Sequence, residues 1–187
     1  MIRQHLGEAQ RDDARMRRDL LLVRHAKSAW DDPSLADHDR PLAPRGEKAL
    51  RGLRENLSRA EHPPDVVLCS SARRTVDTLD GIRAALSKRA SIDVTDELYM
   101  ATTNTLLTRL HGLNDNVRCA MLIGHNPGIE DLALLVVGSG DAELRAQLAA
   151  KLPTGALVAL SFDGRWTHLG AGTARIDTLF MPRRPRP

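Results

Sequence analysis

Short apolar runs alternate along the chain with longer stretches of helical spacing, and three of the runs stop at histidine or arginine. Leu20-Leu21-Leu22-Val23 ends in Arg24-His25, Met121-Leu122-Ile123 ends in Gly124-His125, and the run at 66–69 ends in Ser70-Ser71-Ala72-Arg73-Arg74. Short apolar runs bounded by polar residues read as buried strands, here at 20–24, 66–69 and 120–123, with a further short strand near 92–94. Between them the period changes. Ala49, Leu50, Leu53 and Leu57 recur at helical spacing after Pro44, a proline suited to a first helical turn. Ala72, Val76, Leu79, Ile82 and Leu86 do the same, with Ser70 or Ser71 placed to cap the start. Further helices are predicted over 103–113, from an Asn126 N-cap and Pro127 at N1 through 137, and over 142–151. The end differs: 156–162 and 166–169 flank Asp163-Gly164, a hairpin signal. Strands alternating with helices predict an α/β three-layer sandwich, with a mostly parallel sheet, helices on both faces and an antiparallel C-terminal hairpin at its edge.

Composition narrows this picture. The 187 residues, 42% hydrophobic, suit one domain with a real core. Residues 1–18 mix both charge signs and read as a flexible arm, 19–181 as the domain, and 182–187 as a flexible basic tail. The net charge of +3 is a mild excess, and aromatics at 3% offer few platforms for stacked bases, so nucleic acid is not an expected partner. Residues 1–19 carry no leader-like apolar run and the longest apolar stretch, 132–137, is too short for a bilayer. The expectation is a cytoplasmic protein with no membrane partner, monomeric by default. Cys69 and Cys119 both fall inside buried runs and are expected as core residues.

In open α/β sheets ligands gather beyond the strand ends. His25, just past a strand, has an imidazole able to attack phosphorus. Arg24 beside it offers a planar donor fork for phosphoryl oxygens. Arg74 or Arg73, in the first turn of a helix, adds charge where the helix end itself favours anions; spacing alone does not choose between them. His125 can hold a phosphoryl oxygen as a cation or relay a proton. Arg40, in a loop that leaves from beside His25, is a candidate substrate contact. Each residue taken singly has an ordinary alternative, as a satisfied turn histidine or a solvated arginine. A metal shared by His25 and His125 is disfavoured, because Arg24 would repel the cation, and no zinc-like spacing occurs. His5, His38, His62, His111 and His168 read as surface or structural.

Taken together, Arg24-His25, Arg40-Pro41-Leu42, the Ser70…Arg74…Thr78 pattern and Gly124-His125-Asn126-Pro127 resemble the histidine phosphatase superfamily, that of phosphoglycerate mutases and acid phosphatases. Within it they look most like the small SixA-type phosphohistidine phosphatases. The resemblance covers 19 to about 180. It implies a phosphoglycerate mutase-like fold and His25 as a nucleophile that becomes transiently phosphorylated. It also implies a phosphate pocket of Arg24, Arg74, Arg40 and His125, selecting Arg74 over Arg73. The implied activity is a metal-independent phosphohydrolase without cofactor. Its implied substrate is phosphohistidine on a protein, or alternatively a small phosphomonoester; a phosphate-binding protein without catalysis is the further alternative. Two departures stand out. Position 26 is Ala where much of the superfamily has Gly, followed by Lys27, which is expected to point to solvent. Glu97 is the best-placed carboxylate by order along the chain for a proton donor, and a surface glutamate is the slightly preferred reading.

Overall fold

A computed structural model describes residues 16–182. Seven strands form one mixed sheet in the order β3-β2-β4-β1-β6-β7-β5. They are β1 (Arg17–Arg24), β2 (Val66–Ser70), β3 (Ser91–Thr95), β4 (Cys119–Gly124), β5 (Val137–Gly140), β6 (Leu157–Asp163) and β7 (Ala174–Phe180). Five helices accompany them: α1 (Pro44–Leu57), α2 (Arg73–Ile82), α3 (Thr103–His111), α4 (Gly128–Val136) and α5 (Ala142–Ala150). The apolar runs are buried on both sides. Leu20 and Leu22 of β1 join the core under α3, α4 and α5, while Leu21 and Val23 join the core under α1 and α2. β2 and β4 divide in the same way, as the side-chain period of two dictates.

The chain steps outward from β1 to β2 to β3 with α1 and α2 on one face. It then returns through α3 on the other face to insert β4 between β2 and β1. Right-handed crossovers require that change of face when the direction reverses. The resulting parallel register pairs Arg24 with Gly124 and Cys69 with Ile123, so β1, β4 and β2 end level with one another.

Several expectations are corrected. Arg17 and Arg18 belong to β1 rather than to an arm: Arg18 is buried, and its guanidinium donates to the carbonyls of Gly164 and Val117 at 2.7 and 2.8 Å. The rest of the expected arm, 1–15, and the tail residues 183–187 lie outside the described residues. The chain does turn at Asp163-Gly164, but 166–169 is no strand. Trp166 is a fully buried plug whose indole N–H donates to the Val117 carbonyl at 2.8 Å. β6 pairs antiparallel with β1 on one side and with β7 on the other, and β5, at that edge of the sheet, runs parallel to β7. Helix α4 stops at Val136, where Gly138 and Gly140 follow, and the chain becomes β5. Both cysteines are buried and unpaired, and burial pushes each thiol up to about 12. Among the described residues no helix is long and apolar enough to cross a membrane.

Candidate active site

The register of β1 and β4 decides the geometry. His25 and His125 each follow the last residue of its strand, and those last residues are partners, so the two imidazoles meet with ring centroids 5.1 Å apart. Both are buried, His25 at 8% exposure and His125 at 4%. β2 ends beside β4, so the Ser70 hydroxyl reaches His125 Nε2 at 2.8 Å.

Neither ring is a cation here. Burial, followed by the Arg74 and Arg24 charges, pushes His25 down to about 4 despite the opposing bond to the Ala26 carbonyl. Burial, then the neighbouring His25 and Arg74, pushes His125 down to about 3. The hydrogen bonds assign the tautomers. His25 Nδ1–H donates to the Ala26 carbonyl at 2.7 Å, which leaves its Nε2 lone pair free. Arg74 Nη2 donates to His125 Nδ1 at 3.3 Å, so His125 Nε2–H donates to Ser70. The cationic form considered for His125 is thus not its unliganded state.

Burial separates the two arginines that spacing could not. Arg74 is 4% exposed and turned into the site, whereas Arg73 is exposed and paired with Asp77 at 2.6 Å. The Arg74 fork is occupied: Nη1 donates to the Asp37 carbonyl at 2.6 Å and Nη2 to the Asp37 carboxylate at 2.9 Å. Tyr99, the sole tyrosine of the chain, donates its hydroxyl to the same carboxylate at 2.8 Å and meets His125 edge-on at 5.5 Å. Burial raises Asp37, but the Tyr99 hydrogen bond and the Arg74 charge outweigh it, and the net shift is downward. Arg24 donates Nη1 to the Leu152 carbonyl at 2.7 Å, and its Nε is buried with no partner among the described residues.

The turn after His25 is braced. The Ala26 N–H donates to Thr78 Oγ1 at 3.0 Å, and that hydroxyl donates to the Arg74 carbonyl at 2.6 Å. From the other side, the Gly155 N–H reaches the His25 carbonyl at 2.9 Å with a φ of +78°, a conformation that favours glycine. Neither expected helix cap is made. Ser70 serves His125, Ser71 accepts or donates to His38 at 2.9 Å, and Ala72 stands at the N-cap of α2. Asn126 likewise does not cap α4. It donates to Glu130 and to the Leu152 carbonyl, its peptide to Pro127 is cis, and Pro127 occupies the N-cap.

The structure does not bring every candidate in. Among the described residues Arg40 has no hydrogen bond to His25 or His125. It lies over the ring of Trp30 at 4.3 Å and approaches the Asp37 carboxylate that Arg74 holds, at 3.9 Å. Glu97 is exposed and paired with Arg109 at 3.5 Å. His38, expected as a surface residue, stands at the rim with its ring 5.0 Å from Tyr99. Asp37, Tyr99 and the hydroxyl roles of Ser70 and Thr78 escaped the motif reading. The one available signal was that Asp37 lies in the loop leaving from His25.

A family model described as the histidine phosphatase superfamily (branch 1) matches residues 20–99, the segment that carries Arg24, His25, Arg40 and Arg74. An uncharacterized protein of Mycobacterium leprae is 36% identical over 171 residues, covering 86% of this chain and 100% of its own length. The chain belongs to the histidine phosphatase superfamily. This histidine phosphatase also matches solved structures along nearly its whole length. One, from Nakamurella multipartitia, is assigned as the phosphohistidine phosphatase SixA. It is 27% identical with a TM-score of 0.78, over 89% of this chain and 96% of that one. Another, assigned likewise from Agrobacterium tumefaciens, is 28% identical with a TM-score of 0.75, over 88% and 98%. The fold is therefore the phosphoglycerate mutase-like sandwich of the SixA-type branch, and the enzyme is a phosphatase.

Proposed function

We propose that this phosphatase removes the phosphoryl group from phosphohistidine on a protein, through a phosphorylated His25. The observation that carries the reading is the pair of buried neutral imidazoles, with the His25 Nε2 lone pair free. In the first step Nε2 attacks phosphorus in line and the bond to the leaving imidazole nitrogen breaks. In the second, water attacks phospho-His25, releasing phosphate and restoring the free ring. Arg74 and Arg24 face the charge on the equatorial oxygens, where most catalysis of phosphoryl transfer arises. Arg74 is free for this once the doubly charged phosphoryl group displaces the singly charged Asp37 carboxylate from its fork. The arginines supply the charge neutralisation that a metal ion supplies elsewhere, so the scheme assigns no metal and no cofactor.

The proton inventory favours phosphohistidine over esters. An alkoxide leaving group is strongly basic and needs an acid near the site. Asp37 is held ionised by Tyr99 and Arg74, and Glu97 is committed to Arg109. Imidazole leaves more readily and needs less help.

The test compares phosphate release from a phosphohistidine-bearing protein with release from a simple phosphomonoester, using His25→Ala as control. Faster release from phosphohistidine, lost in His25→Ala, is expected. Preference for the ester would contradict the substrate assignment while leaving the nucleophile, and undiminished release by His25→Ala would overturn the mechanism.

A further inference from the structure

Arg24 has a second side. Arg24 also lines a cleft of about 1040 Å³ bounded by α1, residues 151–154 and the end of β7. Because β7 runs parallel to β1, through two antiparallel pairings, this cleft opens at the same sheet edge as His25. Its rim carries Lys27, Arg45, Lys48 and Lys151. Lysine occurs at only four positions in the sequence, 27, 48, 88 and 151, so three of the four converge on this cleft. Lys27, expected to point to solvent, is exposed and stands among them. None of these four rim cations has a carboxylate within ion-pair distance among the described residues, and Glu55, the one acidic residue in the lining, is engaged by Arg51 at 3.0 Å. Like charges gathered without counter-charges repel one another, so the array favours an anionic occupant. The floor between the cations is apolar, formed by Ala49, Phe180, Met181 and Pro182.

We propose that the cleft docks an acidic segment of the phosphorylated protein, one that alternates carboxylate and apolar side chains, while its phosphohistidine reaches His25. The inference rests on the phosphohistidine reading above. The apolar floor selects a polypeptide over a compact polyanion, which would engage the rim and leave the floor uncovered. The lysines set the charge complementarity that steers encounter.

The probe is a short fluorescent peptide alternating Glu and Leu and lacking any phosphoryl group, read by anisotropy, so that binding is measured without turnover. Binding is expected to weaken with added salt and to fall about tenfold in Lys48→Glu or Lys151→Glu. Lys88→Glu, an exposed lysine outside the cleft, should leave it unchanged. In parallel, the same reversals should raise KM for a phosphohistidine protein bearing such a segment and hold kcat. No peptide binding, equal loss in all three variants, or displacement by equimolar tripolyphosphate would overturn the docking assignment. Release from phosphohistidine with an unmoved KM would remove the cleft and keep the function. Peptide binding without any release from phosphohistidine would remove the function, and with it the identity of the occupant.

Discussion

His25 and His125 face each other at 5.1 Å inside a site that already holds Arg74 and Arg24, so a proton on either ring is opposed by its surroundings. The consequence is measurable. In labelled protein both imidazoles should stay neutral from pH 7 down to about 5, with His25 titrating only near 4; NMR titration at the usual histidine value would contradict this. The same groups set a stability trend. The unfolded chain takes up these protons near pH 6.5, while the folded rings wait until about 4 and about 3. The native state therefore binds fewer protons in that window and loses stability as pH falls through it, so the urea midpoint should be lower at pH 5 than at pH 7. Arg74→Ala should lower kcat by about 10²–10³-fold, the scale of one lost electrostatic stabiliser, with the fold checked by circular dichroism. Loss of less than about tenfold would remove Arg74 from the phosphoryl contacts. At this scale Arg24, His25 and His125 were legible as candidates because each ends or follows a strong apolar run, whereas Arg74 was separated from Arg73 only by the family resemblance. Asp37 and Tyr99 were not, because their contact joins residues 62 apart in sequence and belongs to no local pattern.

The turn bearing His25 is held by its backbone groups, the Ala26 N–H on the Thr78 hydroxyl and the His25 carbonyl on the Gly155 N–H. Helix α2 presents both Arg74 to the site and, one turn on, Thr78 to the Ala26 N–H. Thr78→Val keeps the shape and deletes the acceptor, leaving a buried N–H unpaired, which costs about 1–3 kcal/mol. The urea midpoint should fall accordingly, and turnover with it, as the turn bearing His25 loses its brace. A change below about 0.5 kcal/mol, the range of neutral surface substitutions, would show that the turn stands without Thr78. The strong periodicities of α1 and α2 and the apolar runs of β1, β2 and β4 made these elements readable in advance. The misreadings share a cause: local signals served tertiary ends. Trp166 and Leu169 are apolar because they plug a core, Ser70 and Ser71 reach histidines instead of capping, and the half-buried alternation of β7 is weaker than the turn signal before it.

At the scale of the whole molecule, the order β3-β2-β4-β1 places three strand ends level at one edge. Two buried histidines and one buried arginine thus arrive from positions at least 49 residues apart with no further adjustment. The antiparallel pair β6-β7 extends the same edge toward the basic cleft. The general architecture was legible from alternation alone; the inserted position of β4 was not, since strand order depends on the direction of crossovers rather than on any residue pattern. The account turns on phosphate passing through His25. The most direct measurement is rapid quenching of the enzyme during turnover of a phosphohistidine protein, with the phosphorylated residue mapped by mass spectrometry under alkaline conditions. The account predicts an acid-labile phosphoryl group on His25, absent in His25→Ala. Turnover with no phosphoryl group on His25, or with one on another residue, would contradict it.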